Sequence, residues 1–144
     1  MTTINEDLRF VAVELAWRMW GLPYIWGGDD AVSGFDCSGM RVEILQSVGL
    51  LPDGDWSASM LWGRFAEFEV DKPIPGAGVY WATPQGNIRH VETCIGDGLS
   101  IGASGGGRNI KTRADAILHN AFVKIRPIGG RGIVKGYLDP FKEM

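Results

Sequence analysis

The chain predicts an α+β domain in which N-terminal helices pack on an antiparallel sheet of about five strands. Two observations carry this reading. Three segments with helical spacing of apolar residues fill the first half. Short alternating segments separated by Gly, Pro and Asn turns fill the second. The length of 144 residues fits a single domain over 1–144, with enough chain to bury a core.

Thr3 and Glu6 are spaced as a capping box ahead of the first helix. Leu8, Val11, Leu15 and Met19 then fall on one face, with Ala12 and Ala16 beside them, and Gly21 before Pro23 ends the helix. "YIWGGDD" reads as a loop. Asp36 is placed to cap a second helix, "CSGMRVEILQSVGL". Met40, Ile44, Leu45 and Val48 face inward there, and Gly49 stops it. Ser57 caps a third helix, "ASMLWGRFAEF", and "DKPIPGAG" is a turn-rich connector. "GVYWAT" and "RHVETCIG" are strands joined by "PQGN", and "LSIGAS" follows the turn "GDG". "TRADAILHN" is a short helix, and "AFVKIRPI" and "GIVKGYL" finish the sheet.

Composition excludes several classes. A hydrophobic content of 45% with 22% charged residues is that of a globular protein. The net charge of −3 and the scattered basic residues give no footprint for nucleic acid. No apolar run reaches the length of a membrane span, and "MTTINEDLRF" lacks the layout of a secretory signal. Synthesis in the cytoplasm without a signal peptide is the expectation. Two cysteines make no disulfide framework.

One of those cysteines, Cys37, stands in the first turn of the second helix. Free N–H groups and the positive end of the helix dipole favour a thiolate there, and the thiolate is the nucleophile. The plainer reading is a small buried residue. A thiol nucleophile needs a base, and the chain has two histidines. His119, at the end of a short helix, reads as structural. His90 lies in a strand, where it shares a face with Glu92 and Cys94, opposite Val91, Thr93 and Ile95. The group that orients the base stays open. Ser100 and Ser104 share a face of the next strand with Gly102 between them, and Glu92 is a further candidate, its plainer role being a pair with Arg41 or Arg89. Most of the six tryptophans read as packing, with Trp26 the candidate for lining a groove. Asp29 and Asp30 read as a solvated loop.

"PYIWGG", then "GFDCSGM", then "RHVETCIGDG" about fifty residues later resemble the NlpC-like cysteine peptidases, papain-like bacterial and phage enzymes that cut cell-wall peptides. The first helix running into "WGLPYIWGG" and the "KPIPGAGVYW" before the histidine strand add to the resemblance, which covers roughly residues 8 to 105. It implies Cys37 as nucleophile and His90 as base. It also implies Tyr24 near the oxyanion or substrate, and Asp36 and Ser38 at the amine end of the peptide. No metal or other cofactor is implied. The bond commonly cut in the family joins D-glutamate to a diamino acid such as diaminopimelate. Two departures stand out. Gly102 occupies the place of the family's third polar residue, often a histidine, so that Ser104, Ser100 or water is left to substitute, and Ser104 is taken as the third catalytic residue. Glu92 stands where the family tends to carry a small or apolar residue. "IGASGGG" is similar to phage-encoded branches.

The expected partner is therefore a peptidoglycan peptide, with action at the bacterial wall, as a virion or lysis component, and a phage or wall-targeting partner protein. Neither nucleic acid nor membrane is expected. Gly102 also admits a binding or phage structural module of the same fold that has lost its chemistry. A zinc site built from Asp36, Cys37, His90, Glu92 and Cys94 lacks the usual ligand spacing. An acyltransferase relative is disfavoured by the order of Cys37 before His90.

Overall fold

The computed structural model describes residues 4–30 and 34–142. Its elements follow the predicted order. Helix α1 (Ile4–Arg18) comes first, then a two-stranded ribbon of β1 (Asp29–Asp30) and β2 (Gly34–Phe35). Helix α2 (Cys37–Ser47), α3 (Ala58–Phe65) and a 3-10 turn at Ala66–Phe68 follow. The strands are β3 (Glu69–Val70), β4 (Gly78–Ala82), β5 (Ile88–Gly96), β6 (Leu99–Ser104), β7 (Phe122–Pro127) and β8 (Ile133–Leu138), with α4 (Arg113–His119) between β6 and β7. They form one antiparallel sheet in the order β3-β8-β4-β5-β6-β7.

The sheet thus has six strands where about five are expected. The added one, β3, is two residues long, too short to leave a periodic signal. The "GGDD" loop also contributes β1, paired with β2. The capping role of Thr3 lies outside the described residues. Ala12, Ala16 and Met19 of α1 are buried, with Leu8 and Leu15 packed beside them, but Val11 is 45% exposed. The buried stripe is centred between Leu8 and Ala16, and Val11 projects about 60° to one side of Leu8. Trp17 and Trp20 also face outward, at 48% and 65% exposure, rather than packing.

The caps fall where the residue types require. Asp36 accepts from Gly39 N–H, Ser57 from Met60 N–H, and Thr112 with Asp115 completes a capping box on α4. All four predicted inward residues of α2 are buried. Ile44 and Leu45 are wholly so, each contributing about 1.5–3 kcal/mol of hydrophobic stabilisation. Alternation then divides the sheet. Val91, Ile101 and Ala103 enter the two cores shared with α1, α2 and α3, while Trp81 and Cys94 pack with Val79 and Ile128 in a third cluster. Arg41 is buried between α2 and the sheet and donates to Thr93 Oγ1 and Gly76 O, at 3.1 and 3.0 Å. It is not the partner of Glu92.

Candidate active site

Cys37 is the first residue of α2, immediately after its Asp36 cap. The first turn of the helix approaches the preceding loop so closely that any Cβ at Gly39 would run into the carbonyl oxygen of Gly28. The two glycine-bearing motifs are therefore parts of one contact, which fixes where the thiol points. Asp36 spends its carboxylate on that geometry. Its Oδ1 accepts from Gly39 N–H at 2.7 Å and Ser38 Oγ at 3.4 Å, and its Oδ2 from Gly27 N–H at 3.1 Å.

His90 on β5 lies within hydrogen-bonding reach of Cys37. Its other partner is Glu92, two residues on along the same strand, with Nε2 and Oε2 2.7 Å apart. Nδ1 is thereby the ring nitrogen left for the thiol. Glu92 is wholly buried and accepts three further hydrogen bonds, with Arg126 Nη2 a fourth, longer ionic contact at 3.6 Å. Ser100 Oγ donates to Oε1 at 2.7 Å, and Arg131 donates as a fork, Nη1 to Oε1 at 3.2 Å and Nη2 to Oε2 at 2.7 Å. The Arg131 guanidinium in turn lies 4.5 Å over the Trp81 ring. Burial alone would raise the Glu92 pKa, but the hydrogen bonds and charges of His90 and Arg131 hold it down at about 2. Burial likewise works against a charged His90, and Cys37 and Glu92 overcome it, raising the imidazole to about 9. The site is built to keep the ring protonated.

Gly102 accounts for the choice of Glu92. It lies next to Ile101, which pairs with Thr93 across the β5–β6 ladder. A Cβ on it would overlap Glu92 Cγ and come within 2.7 Å of Cδ. The residue missing from β6 is the space in which the β5 carboxylate sits. Ser104, expected as the third residue, instead accepts from Arg126 Nη2 at 2.7 Å. Ser100 touches the carboxylate rather than the ring.

A cavity of about 630 Å³ opens over these groups and is lined by Tyr24, Trp26, Asp36, Cys37, Ser38, His90 and Ser104, among others. These seven residues, all named from the sequence, therefore border one groove, whereas Glu92 and Ser100, the other candidates for the orienting group, are buried and are not part of its lining. Trp26 is 48% exposed at its rim, and Tyr24 is buried to 6%. Burial first, then the negative charge of Cys37 and Asp36, pushes the Tyr24 hydroxyl well above its ordinary pKa, so it remains a proton donor. Arg89, Arg126 and Arg131 also line the cavity; sequence reasoning did not select the last two. Arg126 had a usable signal, since in "AFVKIRPI" it alternates with Ile125 and so faces away from the core. Arg131, in a glycine-rich turn, had none. Cys94 is fully buried among apolar residues, and desolvation pushes its thiol up to about 12. Among the described residues, no group of three or more His, Cys, Asp or Glu side chains is arranged to hold a metal ion.

A thiol at a helix N-terminus, set against an imidazole on an antiparallel sheet, is the layout of the papain-like α+β class. The comparisons with known proteins make this narrower. The NlpC/P60 family model matches residues 21–127, and the chain belongs to that family. Protein P54 of Enterococcus faecium is 32% identical over 96 residues, which are 67% of this chain and 18% of that protein. The chain thus spans under a fifth of that relative's length. Among solved structures, an NlpC/P60 family protein from Bacillus cereus superposes with a TM-score of 0.72 at 26% identity, covering 92% of this chain and 40% of the other. The NlpC/p60 domain of the peptidoglycan hydrolase SagA superposes with a TM-score of 0.67 at 23% identity, covering 91% and 97%. The latter likeness is one of fold.

Proposed function

We propose that this protein is a cysteine peptidase that hydrolyses amide bonds in peptidoglycan stem peptides, between D-glutamate and a diamino acid. The observation that carries the reading is the relay Cys37–His90–Glu92, completed by a carboxylate that fills the gap at Gly102. Membership of the NlpC/P60 family, whose solved relatives include a peptidoglycan hydrolase, supports the substrate class.

In this reading the Cys37 thiolate attacks the amide carbon. Tyr24 Oη–H and the N–H groups of the first turn of α2 stabilise the oxyanion; Gly39 N–H is already held by Asp36, which leaves those of Cys37 and Ser38. His90 gives its proton to the leaving nitrogen, the C–N bond breaks, and a thioester to Cys37 remains. Water, losing a proton to His90, then attacks the thioester and releases the acid. Glu92 keeps the ring oriented throughout and carries no proton itself. Asp36, Ser38 and Trp26 border the part of the groove that receives the acyl side of the peptide, and a second cavity of about 390 Å³ continues it past Asp55 and Trp56. Action would be at the bacterial wall.

The test is digestion of purified muropeptides by wild type and by Cys37→Ala, with mass analysis of the products. We expect cleavage to disappear in the variant while its circular dichroism is unchanged. Cleavage at the wild-type rate by Cys37→Ala removes the nucleophile assignment.

A further inference from the structure

The protonation of Glu92 decides what the imidazole beside it can do. An ionised carboxylate only accepts, so His90 Nε2 must carry a hydrogen and Nδ1 is the nitrogen that exchanges protons with Cys37 and the substrate. A protonated carboxyl donates to Nε2 instead, and the ring then keeps its hydrogen on Nδ1 and can accept none there. The two arrangements differ by one proton moved across the 2.7 Å between Nε2 and Oε2.

Arg131, in the turn between β7 and β8, bears on that choice. Its fork reaches both oxygens, Nη1 to Oε1 at 3.2 Å and Nη2 to Oε2 at 2.7 Å. A guanidinium has no lone pair with which to accept a carboxylic O–H. The other neighbours of the carboxylate act less directly. Ser100 Oγ on β6 is uncharged and donates to Oε1. Arg126 on β7 stands off at 3.6 Å. Cys94, two residues further along β5, is a thiol pushed up to about 12, and Cys37 lies beyond the ring. Arg131 is also held in place. Its guanidinium lies 4.5 Å over Trp81, and the same indole flanks the His90 ring at 5.4 Å. Nη1 reaches Ser100 Oγ at 3.2 Å, and the Arg131 carbonyl accepts from Arg89 Nη2 at 3.2 Å, which ties the turn down.

We propose that Arg131 is a positioning residue for the peptidase reaction: its fork keeps Glu92 an acceptor, which fixes one hydrogen of His90 on Nε2 and leaves Nδ1 as acid and base. This deepens the peptidase reading given above and rests on it. Both chemical steps depend on the arrangement. Protonation of the leaving nitrogen needs a ring that retains its Nε2 hydrogen once Nδ1 has given its own away, and release of the acyl group needs a bare Nδ1. Removing Arg131 takes a positive charge from beside the pair. The pair then gives up its proton less readily, and the pH above which Nδ1 is free rises.

The experiment measures kcat and KM for muropeptide cleavage from about pH 5 to 9 in wild type, Arg131→Met and Arg131→Lys, together with the ring nitrogen NMR signals of His90. Near neutral pH, Arg131→Met should lower kcat by about ten- to a hundredfold, the weight of one charged hydrogen bond, with KM within about threefold of wild type. The acid limb of kcat should move up by about one to three pH units. Arg131→Lys, which keeps the charge without the fork, should hold the limb near its wild-type place with an intermediate kcat. In Arg131→Met the Nε2 signal should change from that of a protonated nitrogen to that of an acceptor. A raised KM at unchanged kcat makes Arg131 a substrate contact and overturns the inference. So does a loss of kcat that is equal at every pH with the Nε2 signal unmoved. Absence of cleavage by wild type removes the peptidase reading, while the ring signals still decide whether Arg131 sets the tautomer. Where Arg131→Met does not fold, the unaltered protein decides. The Glu92 carboxyl signal should remain that of a carboxylate down to about pH 3, and protonation at its ordinary 4.5 overturns the inference.

Discussion

Replacing Gly102 by alanine adds one methyl group against the Glu92 side chain. The new Cβ would stand 2.7 Å from Glu92 Cδ and closer still to Cγ, whereas carbon atoms rest about 3.5–4.0 Å apart. Glu92 must retreat by about 1 Å. Its contacts to His90 Nε2 and Arg131 Nη2 are both 2.7 Å, so such a retreat stretches them to as much as about 3.7 Å, outside hydrogen-bond range. A hydrogen bond to a charged group contributes about 1.5–3 kcal/mol, which for a chain of this size lowers Tm by roughly 5–10 °C. A misplacement of about 1 Å in such a site costs about a hundredfold in rate. We therefore expect Gly102→Ala to fold, melt earlier, and lose about two orders of magnitude in kcat/KM on muropeptides. The His90 titration, followed by NMR, should fall from about 9 toward its ordinary 6.5. In a Glu92→Ala background the same methyl has room and should cost little further activity, so the two changes are non-additive. Wild-type kcat/KM with an unmoved imidazole titration in Gly102→Ala would refute the argument.

Two further outcomes follow from the same network. The Glu92 pKa is lowered to about 2, so its contribution to stability is full above its ordinary 4.5 and disappears as pH falls toward 2. The His90 pKa is raised to about 9, so its contribution is full below 6.5 and disappears as pH rises through 9. Thermal melts should accordingly show a plateau between about pH 4.5 and 6.5 with a decline on either side, and Glu92→Gln should flatten both limbs; limbs of undiminished slope in that variant contradict the assignment. Iodoacetamide should alkylate Cys37 well before Cys94, which is fully buried with its thiol pushed up to about 12. Equal, slow labelling of the two would instead favour a binding module that has lost its chemistry.

Much of this was legible in the sequence because the cues were local. Asp36 and Ser57 cap the helices that their residue types and spacing announce, and the alternation in "RHVETCIG" places His90 and Glu92 on one face. Cys37 and His90 emerge from such cues together with the family resemblance. The orienting group does not: Ser104, expected in that role, accepts from Arg126, and it is Glu92 that stands against the ring. Deciding between Ser104 and Glu92 needs the β5–β6 register, which sets the Glu92 side chain against the space at Gly102, and a register is a long-range fact. Arg131 was invisible for a similar reason, since a turn residue carries no periodicity to say which way it faces. The edge strand β3 failed through brevity, and Val11 through lying just off the buried stripe.

His90 and Glu92 are carried two residues apart on a single strand, whereas the thiol comes from a different layer of the molecule. Base and carboxylate therefore travel as one cassette. Any sliding of helices over sheet leaves their mutual alignment intact and alters a single gap, the one between sulfur and ring. The spacing between Cys37 and His90 is thus set by how the helical layer seats on the sheet, while that between His90 and Glu92 is set within one strand.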